Sequence, residues 1–435
     1  MHVTESADSI NSDPLVKIAP IKELHLEGPI ASANKQKAKK LNYTVVEDLN
    51  QFEWFVKSKE YEALNKKIIE QNKQRSGLFK SLKPSMDTRV ETQTLYFTDL
   101  ATGKCGFIQL LYSAVLGGVY KGFQVNFKVF NASKETDEDI WESFKLDTPK
   151  EFTNLRVKTS NCLFEFLHPS KVANPNIIGH LHIKLNINSN GKNDTSTNKN
   201  ARDLKINIFV DLFKGFMINP DGCTYFIDKP TLKSSLEDKD TISNKFIRHM
   251  FVPKCTGKGT ISYHNKDDKL VTIKLSSVPM AYIDAVQGLL PNKAASRWNF
   301  MTFQGKNHSL LCMEYVTIKE YGNDSITIWS ISQKDKLVTI GAKVSNNRHR
   351  VKYTETVRDE ESGWDFPTAI RFPPGFKENN LHLVNRYDVM CELPSFIKSL
   401  AEKYAHIKPF IYQYCQNSTY HRDKGISIIE TSFIS

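Results

Sequence analysis

The sequence predicts an all-β protein: two tandem antiparallel β-barrels behind a short helical N-terminal extension. Three observations lead there. From residue 91 onward apolar residues recur with period two, as in FQVNFKVF, where Phe123, Val125, Phe127 and Val129 alternate with Gln124, Asn126 and Lys128. Such segments return roughly every 8 to 15 residues, separated by short polar turns, which is the rhythm of closed or sandwiched antiparallel sheet. Aromatic residues fill 11% of the 435 positions, with 26 Phe and 16 Tyr, a composition suited to strands and to large buried side chains.

Residues 1–87 form the extension. Pro14, Pro20, Gly28 and Pro29 break any periodicity in residues 1–40, which read as a loosely docked arm. A helix is predicted over 58–75: Ser58 can cap it, Tyr61, Leu64, Ile68 and Gln71 share a face, and Gly77 stops it. The first barrel is assigned to 88–252. ETQTLYF, the turn DLATGK and CGFIQLLYS make its opening hairpin, and IGHLHIKLNIN and LKINIFVDLF are later strands. In the last of these, Leu204, Ile206, Ile208, Val210 and Leu212 fall on one side. Between them SNGKNDTSTNKNAR is a polar hairpin excursion with no core of its own. The second barrel is assigned to 253–435, from GTISYH through RWNFMTF, SLLCMEYVTI and SITIWSIS to PFIYQYCQ and ISIIETSFIS. One late segment, LPSFIKSLAEKYA, has helical spacing instead, with Leu393, Phe396, Ile397, Leu400 and Tyr404 in register. A barrel of about eight strands is the size that encloses one small ligand.

The formal net charge is +11, which makes contact with an anionic membrane surface reasonable. The charge is nevertheless spread. Lys35, Lys37, Lys39 and Lys40, or Arg348, His349, Arg350 and Lys352, are short runs that read as solvated faces, and no nucleic-acid partner is expected. Seven cysteines form no CxxC pair and read as reduced thiols of a cytosolic protein. No signal peptide and no span of roughly 18 uncharged apolar residues is found.

No phosphate loop, nucleophile elbow, HExxH or paired-cysteine metal signature occurs, so neither cofactor nor metal is expected. Three weaker constellations remain. His180 and His182 share a strand face at a spacing a metal could bridge, against the plainer reading of two polar-facing histidines. The run AASRWNFMTFQGKNHSLLCMEYVT threads Arg297, Asn299, His308 and Glu314 among Trp298, Phe300, Met313 and Tyr315. Arg297, Trp298, Asn299, Phe300, Met313, Glu314 and Tyr315 are the candidate ligand-binding set; which parity points inward is open. If the aromatic set does, the pocket is greasy; if the polar set does, it has a polar floor, and acid–base chemistry through Glu314 or His308 enters. Finally, GWDFPTAIRFPPGF is a rigid aromatic segment that plugs a barrel end or gates an entrance.

Several stretches together, VETQTLYF, GFIQLLYS, HMFVPKCTGKGTIS, AASRWNFMTFQGKNHSLLCMEYVT, GWDFPTAIRF, KPFIYQYCQ and IIETSFIS, resemble the fungal survival-factor family over roughly residues 88–435. That resemblance implies tandem lipocalin-like barrels, related to hydroxyneurosporene-hydratase-like lipocalins. It also implies a non-enzymatic carrier of a ceramide-like lipid between endoplasmic reticulum and Golgi, linked to survival of oxidative stress. The implied location is cytoplasmic, also nuclear or peripheral at those membranes. The family's apolar N-terminal membrane helix has no counterpart in MHVTESADSINSDPLVKI, which is polar and acidic, so the chain reads as a divergent paralogue. The rival expectation is a hydratase-like lipocalin enzyme acting on an isoprenoid-type substrate, and a third is an interaction scaffold.

Overall fold

A computed structural model describes residues 16–18, 24–27, 43–59, 61–63, 66, 89–115, 120–133, 139–169, 174–188, 203–228, 245–289, 291–346, 350–389 and 409–434. Among them the fold is almost wholly antiparallel strand. The predicted helix 393–404 and the polar loop 189–202 lie outside the described residues, as do the basic run at Lys35, Lys37, Lys39 and Lys40 and the Arg348 and His349 of the second run, whose Arg350 and Lys352 are described.

The larger sheet has 15 strands among the described residues. Its main path runs through the strands 140–146, 120–131, 104–115, 89–98, 270–287, 246–264, 204–213, 177–187, 162–167, 156–158 and 151–153. The two ends of this path do not pair with each other. Side chains seal the seam instead: Phe123 meets Phe152 edge-on at 5.0 Å, and Trp54 packs on both at 5.7 Å. The result is an open barrel whose interior is one apolar cluster drawn from every long strand. The predicted alternations hold here. Leu204, Ile206, Ile208, Val210 and Leu212 are all buried, as are Phe123, Val125, Phe127 and Val129.

The second sheet has eight strands in the order 24–27, 336–346, 324–333, 308–316, 297–305, 423–433, 410–420 and 383–388. A separate three-stranded sheet, 352–358, 365–372 and 376–378, contributes Ile370, Phe372 and Phe376 to a cluster with Phe303, Leu310, Cys312 and Tyr412 on one of its faces. The opposite face packs on the outside of the first barrel, where Phe300, Leu311, Met313 and Ile428 join Phe107, Phe216, Phe251 and Ile283.

Three expectations are revised. The division at 252/253 falls inside a single strand, Phe246–His264, which pairs with 204–213 on one side and 270–287 on the other. The strand Leu270–Gln287 then pairs with 89–98, so the first barrel needs residues up to 287, and the second sheet begins at Arg297. The arm is not wholly loose: Val16–Ile18 pairs with the 223–228 strand of the first sheet, and Leu24–Glu27 adds an edge to the second. The aromatic segment near Trp364 is largely a strand, Asp365–Phe372, at the centre of the small sheet, with Phe366 stacked on Tyr412 at 4.8 Å. Of the helix over 58–75, residues 59, 61–63 and 66 are described and helical, and the Ser58 hydroxyl accepts the Tyr61 N–H as its cap. Residues 43–57, ahead of it, do more than connect. Leu49, Phe52 and Trp54, each at most 2% exposed, point into the first barrel.

Candidate functional site

The strands 297–305 and 308–316 pair Trp298 with Tyr315, Asn299 with Glu314 and Phe300 with Met313. Period two therefore sorts the candidate set onto two faces, and the faces do different work. Trp298, Phe300, Met313 and Tyr315 lie against the first barrel, where Tyr96 packs on Phe300 at 5.0 Å and the Tyr315 hydroxyl donates to Thr224 at 2.6 Å. They join the two sheets.

Arg297, Asn299 and Glu314 occupy the other face. Glu314 is fully buried and saturated: Oε2 accepts from Thr327 Oγ1 (3.0 Å) and from the backbone N–H groups of Arg350 (2.7 Å) and Val351 (2.9 Å). Its Oε1 accepts from Asn299 Nδ2 at 3.2 Å, with the Arg297 guanidinium at 3.8 Å. Burial pushes the carboxyl above its ordinary value, against these hydrogen bonds and Arg297, which pull the other way. Tyr353 closes the group by donating to Asn299 and stacking under Arg297 at 4.7 Å. A carboxylate with its acceptor capacity taken up this way is a clamp for the loop at 350–351. His308 belongs elsewhere, with Asp423 at the far end of the hairpin.

His180 and His182 are likewise occupied. His180 Nδ1 lies 2.7 Å from Asp211 Oδ1; His182 Nε2 lies 2.9 Å from Asn207 Oδ1, its ring stacked on Phe209 at 4.0 Å. Among the described residues no group of three His, Cys, Asp or Glu is placed to hold a metal ion.

A different set converges at one end of the first barrel. Three neighbouring strands present their inward side chains in rungs: Glu91, Val286 and Arg248; then Gln93, Asp284 and Met250; then Leu95, Tyr282 and Val252; then Phe97 and Met280. The inner wall thus passes from charged at the mouth to apolar in the depth. Gln51, Glu53, Met217, Asp221, Arg248, Met250 and Asp284 line a cavity of about 140 Å³ at that mouth. Arg248 donates to Glu53 Oε1 (2.9 Å) and to the Glu53 backbone carbonyl (2.8 Å), and lies 3.5 Å from Asp284. The Val56 N–H donates to Glu91 Oε1 at 3.0 Å. Burial raises the Glu91 carboxyl to about 7, against the pull of Arg248 and Arg89. Burial likewise raises Asp284 to about 6, with Arg248 opposing it. Gln93 is 1% exposed, and among the described residues neither atom of its amide has a hydrogen-bond partner, nor does the second Glu91 oxygen or the Tyr282 hydroxyl. Buried polar groups left this way are uncommon and call for an explanation.

An open barrel with a polar mouth and an apolar interior, backed by a second antiparallel sheet, defines an all-β protein with an amphipathic inner wall. The chain belongs to the Svf1 family, whose sequence model matches residues 9–435. It is 48% identical to an SVF1-like protein of Saccharomyces cerevisiae, over 98% of this chain and 99% of that one. It is 30% identical to the ceramide-binding protein SVF1 of Candida albicans, over 82% and 87% of the two chains. Among solved structures, a putative AttH of Nitrosomonas europaea overlays with a TM-score of 0.43 at 9% identity, covering 79% of this chain and 92% of that one. The divergent position within the family, implied by the sequence resemblance, stands, as does the antiparallel all-β architecture.

Proposed function

We propose that this chain binds a ceramide-like lipid and carries it as a non-enzymatic protein in sphingolipid handling and stress survival. The observation that carries the reading is its place in a family with members named for ceramide binding. The inner wall of the first barrel supports it. A two-chain lipid has on the order of 20 or more methylenes to shield, at roughly 0.8 kcal/mol each, and needs an apolar depth with a few polar groups at its entrance. The charge of +11 favours transient contact with anionic membranes during loading, which predicts loading that weakens with salt. Native mass spectrometry with lipid extraction of protein purified from its host tests the reading. A bound sphingolipid is expected; protein reproducibly empty and unable to take up ceramide overturns it.

A second reading rests on two carboxyls held above their ordinary range, Asp284 in the cavity wall and Glu91 one rung away on the neighbouring strand. That is the poise acid–base addition of water to an apolar substrate requires. It predicts gain of one water by an isoprenoid-type substrate and loss of that turnover in Glu91→Gln.

A further inference from the structure

The segment 48–57 touches the first barrel in two registers. Its apolar side chains fill the depth: Leu49 sits over Gly179, Phe52 lies 4.9 Å from Phe166 and 5.8 Å from Tyr282, and Trp54 packs on Phe123 and Phe152. Its backbone serves the mouth. A peptide carbonyl, that of Glu53, accepts from Arg248, and a peptide N–H, that of Val56, donates to Glu91. The cavity left beside it, about 140 Å³, falls short of the roughly 300–1,000 Å³ of a ligand site. With this segment in place, that cavity has room for a head group and is too small for two chains.

We infer that residues 48–57 are a built-in plug standing in the lipid site of the first barrel, and that the ligand they mimic is a neutral lipid with an amide-linked chain. This rests on the lipid-binding reading above. When the plug leaves, Arg248 recovers a place for a carbonyl and Glu91 a place for an N–H, the two groups an N-acyl linkage presents together. Gln93, one rung deeper and opposite Asp284, offers its unused amide to a hydroxyl. The vacated positions of Leu49, Phe52 and Trp54 take the chains. Glu91, Asp284, Asp221 and Glu53 gather at or beside the mouth, and Arg248 is already shared by two of them, so a phosphorylated head is disfavoured. An ester-linked lipid of equal chain length has the carbonyl and lacks the N–H.

A reversible lock tests the plug. A Cβ built on Gly179 lies 2.6 Å from Leu49 Cγ, within the reach of a disulfide between the two positions. The full chain carrying Leu49→Cys and Gly179→Cys is compared oxidised with glutathione disulfide and reduced, beside wild type treated identically, with the bridge verified by peptide mass spectrometry. Each form is incubated with phosphatidylcholine vesicles holding either palmitoyl ceramide or dipalmitoylglycerol, and the reisolated protein is analysed for lipid. Expected is ceramide uptake by wild type and the reduced variant, falling at least about tenfold on oxidation, and about tenfold preference for ceramide over the diacylglycerol, lost in Glu91→Met, which has no oxygen to accept the N–H. Equal uptake by locked and reduced protein overturns the plug and leaves lipid binding standing. Equal uptake of both lipids by wild type overturns the amide assignment. No ceramide uptake by wild type overturns the lipid-binding reading and the plug with it.

Discussion

At the scale of single residues, two buried carboxylates have opposite fates. Glu314 has its partners built in, so replacing it should hurt stability and spare lipid binding. Glu314→Gln can keep an oxygen on Thr327 and the two backbone N–H groups only by turning its NH2 onto the Asn299 and Arg297 donors, and should cost about 2 kcal/mol in urea unfolding, with unchanged ceramide uptake. Glu91 has a vacant oxygen and a raised pKa. The folded state holds its proton to about pH 7, the unfolded chain releases it near 4.5, so between those values the folded state binds more protons and stability falls as pH rises. Glu91→Gln should remove a part of that slope on the order of 3 kcal/mol, read by comparing urea midpoints of variant and wild type from pH 4.5 to 7; parallel curves would refute it. The sequence showed Arg297, Asn299 and Glu314 because they interrupt apolar runs. It hid Glu91, Gln93, Arg248 and Asp284, which lie in three distant segments. In RVETQTLYF polar residues fall on both parities as far as Thr94, so alternation alone cannot say which side faces in. The usable signal was a gradient: Glu91 and Gln93 share parity with Leu95 and Phe97, Arg248 with Met250 and Val252, Asp284 with Tyr282 and Met280.

At the scale of elements, strand identity was legible and strand allegiance was not. Alternation located strands such as 120–131, 204–213 and 297–305 and their buried sides, because that depends on neighbours in sequence. Pairing depends on residues far away, and so Phe246–His264 was cut by a boundary it crosses. The segment 43–57 carries no period at all, and its insertion into the barrel follows from tertiary packing of Leu49, Phe52 and Trp54. Gly179 is where that insertion is most exacting. Gly179→Ala would set a methyl 2.6 Å from the Leu49 side chain and should destabilise by about 1–3 kcal/mol, with faster amide hydrogen exchange confined to 48–57.

At the scale of the whole molecule, the two sheets are held together by an interface that behaves as interior. Lys128, 4% exposed, donates to Gln413 and is drawn to Glu430, which also accepts from Tyr96 at 3.3 Å; Cys105 and Cys415 bring their sulfurs within 3.0 Å alongside. Burial lowers the lysine to about 7, against the pull of Glu430. Lys128→Met should cost about 3–5 kcal/mol by leaving Glu430 without its cation, and adding Glu430→Gln should recover much of it, measured as a double-mutant cycle in urea. Recovery of nothing would mean the pair is not coupled. A single unfolding transition reported alike by probes in either sheet is expected from so continuous a core.

The strand Leu24–Glu27 is made early in synthesis, yet its partner, Lys336–Asn346, follows only after most of the chain. Until that late hairpin exists the early strand has nothing to bond, and until the early strand docks the late one presents a bare rim of amides to any other extended chain. The N-terminal arm is in this sense a stopper against self-association during assembly, supplied from the same molecule so that its local concentration never depends on how much protein the cell makes.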